Sequence, residues 1–116
     1  MATIWVLTQP KDESKQRAVR ADVITGVSGD KENVRAFRSD TQDVTFLVEW
    51  STSFDKRDPL PAGFYLAFLQ ALDEAQRKTF KGTTPGDQVI KAEWSIDQQE
   101  WRWAVQDVED LEPGKP

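Results

Sequence analysis

Serine stands three residues before lysine twice, in Ser28-Gly29-Asp30-Lys31 and in Ser53-Phe54-Asp55-Lys56. That is the spacing by which serine acyl enzymes set an amine beside a nucleophile. The companion motifs of that class are missing, and two hits in 116 residues show how cheap the pattern is. Both read better as polar loops. Gly82-Thr83-Thr84-Pro85-Gly86 is glycine-rich, but Asp87 follows where a phosphate-binding loop needs Gly-Lys-Ser/Thr. Thr84-Pro85-Gly86-Asp87 fits a type II turn instead. Asp107, Glu109, Asp110 and Glu112 crowd the C-terminus without the spacing or the glycine of a calcium loop. They read as a solvated acidic tail. Asp73 and Glu74 are helix neighbours that point in different directions, so they make a poor catalytic pair.

The chain has no His and no Cys. The commonest general base and the usual zinc ligands are therefore missing, and disulfides are excluded. The sequence points to no catalytic residue, no metal site and no cofactor, and the chain reads as a non-enzyme.

Tryptophan is the richest feature, with five in the chain beside six Phe. Trp50, Trp94, Trp101 and Trp103 fall on the apolar faces of their segments, as a Trp-rich core requires. Strand aromatics also serve as stacking platforms for single-stranded nucleic acid or as hot spots for a protein. Leu47, Ile24 and Leu66 interrupt otherwise polar faces and could form a patch.

The elements that would carry these residues follow from periodicity. Residues 3–8 are β-branched and aromatic and read as a strand ended by Pro10. Residues 11–17 read as a loop, with a short helix over 11–21 as the rival. Val19, Ala21, Val23, Thr25 and Val27 alternate with Arg20, Asp22 and Ile24, which predicts one strand. Residues 33–38 form a weaker strand. Val44, Phe46, Val48 and Trp50 make one face of the next strand, with Thr45, Leu47 and Glu49 on the other. Pro59 and Pro61 precede a helical pattern from Gly63 to Phe80. Its apolar face holds Phe64, Phe68, Ala71, Leu72 and Ala75, flanked by Tyr65 and Leu69; Gly82 suits its C-terminal cap. Residues 90–96 and 101–105 predict a hairpin that sets Trp94 against Trp101, Ala92 against Trp103 and Glu93 against Arg102. Its turn is Asp97-Gln98, or a four-residue loop of the same parity.

The composition, 38% hydrophobic and 30% charged, describes one domain over residues 1–106 with an acidic tail over 107–116. The fold class is α+β: an antiparallel sheet with one amphipathic helix between the N-terminal strands and a C-terminal hairpin. Merging residues 33–38 into a neighbour gives β-β-β-α-β-β, the order of OB-type barrels. An open sheet with the helix across one face satisfies the same pattern. No targeting segment and no run of membrane-spanning length is evident, so the expected location is the cytoplasm.

Residues 82–116 hold three Lys/Arg against eight Asp/Glu, a net of −5 that equals the charge of the whole chain. The expected function is a non-catalytic protein-interaction module, such as an adaptor, an inhibitor or immunity-type partner, or a small subunit of an assembly. Its expected partner is another protein with a basic surface, met by Leu66, Trp103, Asp107, Glu109 and Asp110. The alternative is a single-stranded nucleic-acid binder of OB type, which the lack of a marked basic surplus disfavours. No membrane partner is expected.

Overall fold

The computed structural model describes residues 3–11, 13–50, 57–80 and 86–111. Ser53-Phe54-Asp55-Lys56, most of the glycine-rich loop, the expected cap at Gly82 and the tail from residue 112 lie outside them.

The architecture is α+β. Strands β1 (Ile4–Leu7), β2 (Ala18–Arg20), β3 (Ile24–Gly29), β4 (Asn33–Arg38) and β5 (Thr45–Glu49) precede helix α1 (Phe64–Phe80), and β6 (Gln88–Ser95) and β7 (Glu100–Asp107) follow it. They form two sheets, ordered β2-β1-β6-β7 and β3-β4-β5. Among the described strands all pairings are antiparallel except that of β1 with β6, and an isolated parallel bridge joins Gln9 to Val48. The sheets meet where Gln9 N donates to Leu47 O (2.9 Å) and Glu49 N donates to Gln9 O (3.0 Å). They are not closed into a barrel. Among the described residues seven strands replace the merged five, and residues 33–38 form the centre of the second sheet, so the OB order is not met.

Helix α1 packs against both sheets. Phe64, Phe68, Ala71 and Ala75 are buried, with Tyr65 and Leu72 packed beside them, as the helical period predicts. Leu69 stays exposed. The start of the helix is set by Gly63, whose φ of +74° few side chains tolerate. On β3, Gly29 allows a close approach: a Cβ there would lie 2.8 Å from Asn33 O and 3.3 Å from Tyr65 Cβ.

The hairpin register stands as expected, with Trp94 opposite Trp101, Ala92 opposite Trp103 and Glu93 opposite Arg102. Arg102 Nε donates to Glu93 Oε1 at 2.6 Å. The turn is the four-residue loop, residues 96–99, with Gln99 at φ 54°.

Two readings need correction. The run over residues 19–27 is not one strand: a 3-10 turn at Ala21–Val23 carries the chain from the first sheet to the second. Ala21 stays buried through the turn, so alternation continues across a break it does not report. In β5, Val34 pairs with Val48 and Arg35 with Phe46, leaving Leu47 as the extra residue of a bulge. The bulge turns Leu47 into the core at 0% exposure and leaves Val44 and Phe46 outside.

Asp87 clasps the start of β1 to the start of β6. It accepts Thr3 N–H at 2.9 Å and Trp5 Nε1–H at 3.1 Å. The Thr3 amide, and then the indole, hold its carboxyl below the ordinary 3.8. The charged form therefore stabilises the fold fully above about pH 4, and this contribution is lost as pH falls through the lowered value. Urea unfolding at pH 6 and pH 3 should show a larger acid loss for the wild type than for Asp87→Asn. Equal losses would show that the clasp does not respond to its charge.

Among the described residues, no helix is long and apolar enough to cross a membrane.

Candidate functional site

The outer face of the β3-β4-β5 sheet is built by alternation. Val34 and Ala36 point inward and are fully buried, so Asn33, Arg35 and Phe37 point outward. Across the strands, Arg35 faces Phe46 and Ser28, and Phe37 faces Gly26. Val44 immediately precedes Thr45, which pairs with Ala36. The Phe37 ring lies over Gly26, where a Cβ would come within 3.5 Å of Cδ2. Its other side is open: Phe37 is 46% exposed, Val44 42% and Phe46 38%. Three of the six exposed large apolar side chains among the described residues thus share one face of one hairpin. Single exposed apolar residues are ordinary, whereas a contiguous set is not.

A groove of about 740 Å³ runs along this hairpin, with Thr8, Pro10, Lys15 and Arg17 on one side and Val44, Thr45 and Phe46 on the other. Arg38 lines it too, held by Asp40 through Nε at 2.8 Å and Nη2 at 2.6 Å. The pair lowers the Asp40 pKa and raises that of Arg38, chiefly through the hydrogen bonds between them. This guanidinium is therefore already satisfied.

The tryptophans are committed elsewhere. Trp50 Nε1 donates to Arg57 O (2.8 Å), Trp101 Nε1 to Asp58 O (2.7 Å) and Trp103 Nε1 to Phe64 O (2.9 Å). Three indoles thereby fasten the segment that leads into α1. Trp103 stacks on Phe64 at 4.9 Å and meets Phe68 edge-on at 5.1 Å. Arg57 lies 4.5 Å above the Trp101 ring.

No protein-family model, curated protein or solved structure matches this chain.

The residues expected to meet a partner are dispersed. Leu66 is 52% exposed on the outer side of α1, beside the exposed Leu69. Trp103 is not an exposed anchor: it is half-buried and its ring is packed under the helix. Asp107 ends β7 and accepts a hydrogen bond from the buried Gln88 Nε2. Glu109 and Asp110 are exposed in a 3-10 turn beyond β7. Leu66, Leu47 and Ile24 make no common patch, because Leu47 is buried and Ile24 packs on the core. The reading from sequence missed Phe37, Val44 and Phe46. Five apolar residues between Val44 and Trp50 announce that both faces are used, but not which residue is the extra one. Among the described residues no group of three or more acidic side chains could hold a metal ion.

Proposed function

We propose that the chain is a non-catalytic protein-binding module whose contact surface is the outer face of β3-β4-β5, centred on Phe37, Val44 and Phe46. The observation that carries this reading is their clustering on one hairpin, with Val44 and Phe46 lining a groove of about 740 Å³. Aromatic side chains beside arginine, ringed by polar groups, are the composition of protein hot spots. Glu109 and Asp110 lie past the far end of β1, where Ile4 meets Gln88 and Gln88 meets Asp107. From there they would steer a partner with a basic surface rather than anchor it. Nucleic-acid stacking on the tryptophans gains no support, since three indoles are tied to backbone carbonyls.

The test is quantitative capture from native lysate with three baits: wild type, Phe37→Ser/Phe46→Ser and Leu66→Ser. A stoichiometric protein partner should be recovered by wild type and by Leu66→Ser and be lost with the double variant. Loss with Leu66→Ser alone would move the contact to the helix, and equal recovery by all three would remove this face from consideration.

A further inference from the structure

We propose that Arg35 is the receptor for a carboxylate carried by an extended segment of the partner protein. The idea rests on the protein-binding reading of this face and adds the chemistry that selects the partner. Arg20, Arg38, Arg77 and Arg102 each hold a carboxylate of this chain. Arg35 has none among the described residues, although it is half-buried at the centre of the face. Its Nε is enclosed and has no acceptor. The nearby Asp30 is spent on the backbone: its Oδ1 accepts Glu32 N–H at 2.8 Å and Asn33 N–H at 3.1 Å. Glu49 faces Asn33 at the far end of the face rather than Arg35.

The charge of Arg35 does help to lower the Asp30 pKa, but no carboxylate of the described residues touches it. A half-buried guanidinium without a contacting carboxylate is costly, and its planar fork matches one. Phe46 directly across from it and Phe37 two residues along would keep water from such a pair, which strengthens it. One feature favours a peptide over a polyanion: Asp40, Asp43 and Glu49 border the groove and repel a run of phosphates. In an extended segment, alternate side chains share a side. A carboxylate flanked two residues away on each side by apolar residues would reach Arg35 while its neighbours lie on the rings.

The probe is a labelled peptide containing Leu-Thr-Asp-Thr-Leu, compared by fluorescence anisotropy with the same peptide carrying Asn or Lys in place of Asp. The proteins are the wild type, Arg35→Gln, Arg35→Lys and Phe37→Ser/Phe46→Ser, each shown to be folded by its urea transition. Wild type should bind the Asp peptide about ten- to hundredfold more tightly than the Asn peptide, as for a hydrogen bond to a charged group. Arg35→Gln should erase that preference, Arg35→Lys should keep part of it, and the double aromatic variant should weaken all three peptides. Equal binding of Asp and Asn peptides, with both weakened by the double variant, would overturn the carboxylate assignment and leave the face standing. Binding untouched by the double variant would instead remove the face itself. Absence of peptide binding, or capture of oligo(dT) that depends on Arg35, would overturn the proposal.

Discussion

Phe68→Ala should lower the unfolding free energy by about 3–5 kcal/mol, the range for truncating a fully buried aromatic. Phe68 is fully buried on the face of α1 that both sheets cover, and it meets Trp103 edge-on at 5.1 Å. The cavity would open where helix and sheets converge, so no single element can relax into it. Urea unfolding followed by tryptophan fluorescence gives the value directly, because Trp103 reports from the same place. A loss below about 1 kcal/mol would mean that the helix does not sit between the sheets as described.

Trp101 should separate two contributions. Trp101→Ala removes a buried ring that touches Phe64 at 6.2 Å and Trp94 at 5.7 Å, and should cost about 3–5 kcal/mol. Trp101→Phe keeps most of the ring and removes the Nε1–H that donates to Asp58 O. Asp58 is exposed, so water can replace the indole at its carbonyl, and the lost bond costs about 0.5–1.5 kcal/mol. The Phe variant should therefore fall clearly between wild type and Ala. Its loss should be local as well, speeding exchange of the Leu60 amide, which donates to Lys31 O at 2.9 Å in the segment that the indoles fasten. A Phe variant as stable as wild type, with unchanged exchange, would reduce the indole bond to an incidental contact.

The parts legible in the sequence were those decided by local pattern. In the hairpin, apolar met apolar and Glu93 met Arg102 in one register only, and that register is found. The helix needed nothing beyond its period and the prolines before it. What failed needed knowledge of distant neighbours. Alternation through Ala21 hid a change of sheet, because a buried residue inside a turn keeps the same rhythm as one inside a strand. One extra residue at Leu47 inverted the faces of β5 on the side of Val44 and Phe46, while Val48 and Trp50 stayed buried as expected. The candidate site inherited that error. Phe46 was assigned to the core and Leu47 to the surface, when the bulge does the reverse. Arg35 carries no local signal at all. Its interest comes from the absence of a carboxylate in contact with it among the described residues, which only the assembled sheet reveals.

The parallel pairing of β1 with β6 has a kinetic consequence. Ile4 lies beside Gln88, and Leu7 beside Lys91. The ring of chain that closes when these strands meet spans most of the molecule, and its closure entropy must be met before the pairing returns any energy. High contact order of this kind slows folding relative to helical proteins of similar size. During synthesis, β3, β4 and β5 can pair as soon as they leave the ribosome, since each hydrogen-bonds to its neighbour in sequence. β1 has only the three residues of β2 to pair with until the final quarter of the chain emerges. Until β6 is available one side of β1 has no partner strand, and an open edge of this kind is where mispairing starts.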